Sequence, residues 1–253
     1  MIQDDRFRRI TLMLGEDACE RLRRASVTIV GLGAVGSYAL EALARSGVGN
    51  LRLVDFDKIT PSNINRQLLA LSSTIGRQKC EVAAERVLDI NPDCRVEAIA
   101  GFLDGENVME LIGERPDLVI DAIDALNPKV QLLASLRRRE IPVITCLGAA
   151  LRFDPSRVRT GMLESAHGCP LGRSVKNRLR RQGVPVDIPC VYSIEPVPNP
   201  LPIAPPAAIT DENLGLARGR ARNTLGSLPT ITGIFGLTAA NMAIRMLIGR
   251  DEP

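Results

Sequence analysis

The sequence predicts an α/β fold: a Rossmann-like, mostly parallel sheet with helices on both faces, extended by C-terminal, partly antiparallel strands and a last apolar helix. Three observations lead there. Apolar runs of strand length alternate with stretches of helical spacing through the first 150 residues. A glycine-rich turn, GLGAVG (31–36), joins the first such strand to a helix. Finally, 253 residues with 45% hydrophobic content can bury a full core, and with five Phe, two Tyr and no Trp that core is aliphatic.

The elements run in order along the chain. SVTIV (26–30) is a strand, AVGSYALEALARSG a helix closed by Gly47, and NLRLVD (50–55) a second strand, together a βαβ unit. GRQKCEVAAERVLDINP (76–92) is a helix stopped at Asn91-Pro92, and RVEAI (95–99) a strand. DLVIDAID (117–124) is a strand between helices near 105–113 and 128–139, and PVITCLG (142–148) continues the pattern. Beyond residue 150, RVRTGML and PCVYSIEPV have strand character, and CPLGRSVKNRLRRQG is helical. Residues 196–228, rich in Pro and small residues and carrying Arg218, Arg220 and Arg222, are expected to form a long mobile loop. The apolar stretch TITGIFGLTAANMAIRMLIG (230–249) is interrupted by Asn241 and Arg245 and reads as a buried or subunit-facing helix, without stable membrane insertion.

Composition narrows the function classes. A net charge of +3 is too small to imply nucleic-acid binding by itself, so any basic surface is local. Of the six Cys, at 19, 80, 94, 146, 169 and 190, none forms a C-x-x-C pair, which argues against structural zinc and a thioredoxin-like motif. Buried reduced thiols fit a cytoplasmic protein, and the charged N-terminus MIQDDRFRRI is unlike a secretory signal.

The glycine turn carries the chemistry. Gly31 permits the tight turn, Gly33 lets a phosphate approach the backbone, and Gly36 lets helix and strand pack closely. The helix N-terminus adds N–H groups and partial positive charge. Asp55, at the end of the next strand, is placed to accept hydrogen bonds from ribose hydroxyls. NAD and ATP both offer such a ribose. The residues beyond Asp55 favour ATP. SNINRQ (62–67) supplies amides (Asn63, Gln67) and the Arg66 guanidinium, and Lys79 opens the next helix. Both cations suit phosphate oxygens. Asp121 and Asp124 end a later strand on the same carboxyl edge, where Asp124 can hold magnesium beside phosphates. A nicotinamide enzyme would need a further site for hydride chemistry, and the single His, His167, sits in a Gly/Cys/Pro-rich loop.

GLGAVGS, GVGNLRLVDFD, SNINRQ, IGRQK and DAID together resemble the adenylating enzymes of the ubiquitin-activating superfamily, over residues 1 to about 150. There a carboxylate attacks the α-phosphate of magnesium ATP to give an acyl-adenylate and pyrophosphate. The resemblance implies a single adenylating domain over 1–253, with a nucleotide-binding core (1–150) and a substrate-binding, dimer-forming extension (151–253). It places Asp55 on ribose and Arg66 and Lys79 on phosphates, Asp124 on magnesium or the reacting phosphate, and Asp57, Asn63 and Gln67 in the nucleotide pocket. Within a homodimer it brings Arg9 or Arg6 of DRFRRITLMLG to the partner's phosphates.

Further stretches, DAIDALNPKVQL, PLGRSVKNRLRRQG with CVYSIEP, and GSLPTITGIFGLTAANMAI, are similar to the tRNA threonylcarbamoyladenosine dehydratases. That resemblance implies ATP-dependent cyclisation of a threonylcarbamoyl group beside the tRNA anticodon, with a sulfur-transfer protein as a possible partner. The alternative is adenylation of the C-terminal glycine of a ubiquitin-like sulfur carrier, whose activators usually carry two C-x-x-C pairs. One departure stands out: Cys169 occupies the place expected of an acid before Pro-Leu. Cys169 and Cys190 are the candidates for a thioester relay, which ring closure does not need. In LGRSVKNRLRRQ (171–182), Leu171, Val175 and Leu179 form an apolar stripe while Arg173, Lys176, Arg178, Arg180 and Arg181 project elsewhere with no acid among them, a surface for tRNA phosphates. With few aromatics, recognition is expected through phosphate and shape.

Overall fold

The computed structural model describes residues 5–197 and 225–250, and its centre is one seven-stranded sheet. The expected loop at 196–228, with its three Arg residues, lies almost wholly outside the described residues. Strands β1 (Ser26–Val30), β2 (Asn50–Val54), β3 (Arg95–Ile99), β4 (Leu118–Asp121), β5 (Val143–Cys146), β6 (Val158–Met162) and β7 (Pro189–Ser193) lie in the order β3-β2-β1-β4-β5-β7-β6. All neighbours pair in parallel except β6 with β7. The two C-terminal strands therefore extend the same sheet. β7 keeps the parallel sense of β5, and only the edge strand β6 reverses.

Alternation within each central strand feeds two cores. Val27, Ile29, Leu51, Leu53, Leu118 and Ile120 pack on one face, against α2 (Glu16–Arg24), α3 (Gly36–Arg45), α4 (Lys79–Ile90) and α8 (Pro229–Leu247). Val30, Val54, Val119 and Val143 pack on the other, against α5 (Val108–Ile112), α6 (Leu126–Arg138) and α7 (Pro170–Arg181). A strand covered on both sides needs apolar residues at both parities, which is why β4 is a continuous buried run. Helix α6 begins two residues earlier than its sequence suggests, because Pro128 in the first turn forfeits no intrahelical bond.

The last helix is a core element. Ile231, Phe235, Ala239 and Ala243 are fully buried, and a Cβ at Gly236 would stand 2.3 Å from the Val35 carbonyl oxygen. Only glycine lets α8 approach α3 so closely. Among the described residues α8 is the one helix long and apolar enough to cross a membrane, by length and composition alone. At the N-terminus a short helix α1 (Arg8–Leu14) leaves Leu12 and Met13 78% exposed.

Candidate nucleotide-binding site

The β1–α3 turn lies between β2 and β4, where the order of strands reverses and ligands of open α/β sheets bind. Gly31 has φ +92°, and a Cβ there would fall 2.9 Å from the Ala122 carbonyl oxygen. At Gly36 a Cβ would lie 1.8 Å from the Gly31 carbonyl oxygen, so no other residue fits. Gly33 differs: the nearest atom to a Cβ is Gln67 Nε2 at 3.9 Å, leaving open space before the backbone. No side chain caps α3, so its N-terminal dipole is available to an anion. Gly31 and Gly36 are thus required by the turn itself, and Gly33 leaves its backbone open.

Asp55 closes the turn from the β2 side. Its carboxylate accepts from Leu32 N at 2.6 Å and Asp57 N at 2.8 Å. Burial pushes its carboxyl above the usual carboxylate range, opposed first by the nearby Lys79 charge. Lys79 is the first residue of α4, as expected, yet it is buried and its Nζ donates to Asp57 Oδ2 at 2.8 Å. Asp57 thus holds the cation beside Asp55. Arg66 is partly exposed, with Nη1 donating to Ser62 O (2.9 Å) and Asn65 Oδ1 (2.8 Å). Its guanidinium is kept near its own loop. Asn63 Oδ1 accepts from Thr60 N at 3.1 Å, which makes its amide a local cap of that loop. Gln67 lies beside Gly33, and its buried Oε1 has no partner, nor has that of Gln78 next to Lys79. Orphaned buried acceptors flanking an open cradle suit a polar ligand.

The two aspartates of DAID have different fates. Asp124 is exposed just beyond β4. Asp121 is wholly buried and turned inward. Its Oδ2 accepts from Lys129 Nζ at 2.6 Å and from Thr145 Oγ1 at 2.7 Å, and its Oδ1 accepts from Ile123 N at 3.1 Å. The sequence puts Asp121 on the carboxyl edge beside Asp124 and gives no role to Lys129. The available signal was its spacing: Lys129 shares a helical stripe with Leu132, Leu133 and Leu136, which are buried.

On α7 the apolar stripe is inward as expected, with Val175 and Leu179 buried. Arg173 and Arg181 are exposed. Lys176 instead spends its ammonium on the Glu164 and Ala166 carbonyls, both at 3.0 Å. Arg178 bonds Asn127 Oδ1, and Arg180 lies 4.0 Å from Glu164. Arg9 and Arg6 are exposed at the start of the chain. Cys169 caps α7: its sulfur accepts from Gly172 N and Gly148 N, both at 3.3 Å. Near it the buried Arg152 donates to Gly168 O at 2.8 Å, while its Nε and Nη1 have no partner. Burial presses the Arg152 guanidinium below its usual range, and Cys169 and Glu195 act against that. Cys190 is fully buried and pushed up to about 12 by desolvation, which removes it as a thiolate nucleophile. All six cysteines are free and buried.

The ThiF family matches residues 6–253. A tRNA threonylcarbamoyladenosine dehydratase of Haemophilus influenzae is 38% identical over 250 residues, covering 98% of this chain and 95% of that one. The enzyme of the same name from Escherichia coli is 34% identical over 252 residues, covering 97% and 94%. The crystal structure of the Escherichia coli tRNA N6-threonylcarbamoyladenosine dehydratase in complex with ATP superimposes with a TM-score of 0.85 at 32% identity, covering 99% of this chain and 98% of that chain.

Proposed function

The chain belongs to the ThiF family, and on that premise we propose that it is an ATP-dependent tRNA threonylcarbamoyladenosine dehydratase. The observation that carries the reading is the open cradle before Gly33, with Asp55 fixed beside it and Lys79 held on the same edge by Asp57. Asp55 receives the ribose hydroxyls, and the α3 N-terminus faces the phosphates. Arg66 and Lys79 turn from Asn65 and Asp57 to phosphate oxygens. The threonyl carboxylate attacks the α-phosphorus, the bridging P–O bond breaks, and pyrophosphate leaves. The carbamoyl nitrogen then attacks the acyl carbon and loses its proton, and AMP departs with one carboxylate oxygen. The tRNA loses one water while ATP becomes AMP and pyrophosphate.

Among the described residues no group of three or more acidic, His or Cys side chains gathers as a metal site. Magnesium would be held by Asp124 together with the phosphates, where it would neutralise charge. Two further parts of the reading are a homodimer, supported by the exposed Leu12 and Met13 beside Arg9, and action in the cytoplasm, where free thiols persist. A sulfur-transfer protein is the remaining partner of this reading. Adenylation of a sulfur carrier's C-terminal glycine is the weaker reading, because the relatives matched over 97% and 98% of this chain, at 34% and 38% identity, carry the dehydratase name.

The test is mass spectrometry of nucleosides from tRNA treated with the protein and ATP. Loss of one water from the threonylcarbamoyl nucleoside is expected; an unchanged nucleoside with pyrophosphate release driven by a Gly-Gly carrier would replace the reading. Arg66→Ala or Lys79→Ala is expected to remove about 3–4 kcal/mol of transition-state stabilisation.

A further inference from the structure

Of the chain's seven Phe and Tyr rings, all lie in the described residues, and six are buried or partly buried. Phe153 is 77% exposed. Burying such a ring would stabilise the fold by roughly 1.5–3 kcal/mol, and the backbone around it is hydrogen-bonded in place. Leu151 adopts φ +60° and its N–H donates to Gly226 O at 2.9 Å. Arg152, beside the ring, is 3% exposed and donates to Gly168 O. Phe153 N and Asp154 N both donate to the Glu195 carboxylate, at 2.9 and 3.0 Å. The backbone on both sides of the ring is therefore held in place at the surface.

Its position is on the ligand edge. The loop leaves β5, next to the β4 strand that ends at Asp121 and leads to Asp124. Gly148 and Arg152 tie it to Cys169 and Gly168 at the start of α7, the helix with exposed Arg173, Arg178, Arg180 and Arg181. The loop that carries the exposed ring is thus tied to the start of a helix that carries exposed guanidinium groups. Single-stranded RNA has the matching chemistry, anionic phosphates alternating with flat bases that stack on aromatic faces.

We propose that Phe153 is a base-stacking platform for an unpaired nucleotide flanking the modified adenosine in the RNA loop. This rests on the RNA substrate proposed for the nucleotide site. It departs from recognition by phosphate and shape alone, the expectation that scarce aromatics suggested.

The chain has no Trp, so Phe153→Trp in the full-length protein creates a single fluorescent reporter at the platform. Titration with the threonylcarbamoyl-bearing anticodon stem-loop is expected to quench it saturably. Phe153→Ala is expected to raise the KM for that RNA by about 5- to 150-fold, as loss of one stacked base predicts, with the KM for ATP unchanged. An unquenched reporter at saturating RNA, or a wild-type RNA KM in Phe153→Ala, would overturn the platform while leaving the dehydratase reading intact. Concentration-dependent quenching without RNA, paired with a change in sedimentation, would assign the ring to a contact between copies and also overturn it. A quenched reporter on a protein that fails to dehydrate the RNA would retain the platform and remove the reaction.

Discussion

Replacement of Lys129 by Met is the sharpest test of the network beneath the site. Lys129 and Asp121 are both fully buried, 2.6 Å apart, and Thr145 closes the set by accepting from the ammonium at 3.1 Å and donating to the carboxylate at 2.7 Å. Met keeps the length of the side chain and removes the charge. Asp121 then retains only the Thr145 hydroxyl and Ile123 N–H, a buried anion without its cation, and the expected loss is about 3–5 kcal/mol. Asp121→Asn strands the ammonium and falls in the same range. The double variant removes both charges and keeps similar volume, so it should lose at least about 2 kcal/mol less than the two single effects combined. Urea unfolding of all four proteins, with m-values compared, measures this directly. Because Asp121 Oδ1 holds Ile123 N just before Asp124, Lys129→Met should also slow adenylation assayed under folding conditions. Single effects that add to within about 0.5 kcal/mol would refute the coupling, and with it the idea that the pair sets the turn carrying Asp124.

The same geometry sets other expectations. Burial raises the Asp55 carboxyl above its ordinary 3.8, so the folded state holds a proton there that the unfolded chain has released. Its contribution to stability is therefore full below 3.8 and falls as pH rises toward the folded value, while nucleotide affinity, which needs the ionised acceptor, rises over the same window. Calorimetric ATP titration should show that acid limb, and Asp55→Asn should flatten it; an unchanged limb would move the titrating group elsewhere. Cys169→Asp supplies a carboxylate near Arg152 and a stronger cap for α7, and is expected to gain about 1 kcal/mol, read as a higher Tm; a lower Tm would show that the sulfur's size decides the site. On α7, tRNA affinity should fall with salt with a slope of roughly 0.7–0.9 per neutralised phosphate, and Arg178→Glu with Arg181→Glu should shrink that slope. An unchanged slope would remove α7 from the RNA surface.

Much of this protein is written locally in its chain. Gly31 needs positive φ, Gly36 meets a carbonyl of its own turn, and Asp55 comes one strand later. Those requirements concern residues joined by a short βαβ connection, so sequence alone determined the cradle, its acid and the alternation of strands and helices. Likewise the stripe of Val175 and Leu179 comes from helical spacing. Tertiary structure decided the rest. That Asp121 turns inward while Asp124 stays exposed depends on Lys129 and Thr145 arriving from α6 and β5. Lys79 reads as a helix-end charge until Asp57 meets it across the β2–α4 connection. Lys176 belongs to a basic helix by sequence, but the 164–166 turn packed against it claims its ammonium. The parallel sense of β7 and the reversal of β6 are likewise set by pairing across the sheet and not by local pattern. Burial and ion pairing depend on what lies across a gap in space, and a linear pattern carries periodicity and turn chemistry but not the identity of that neighbour.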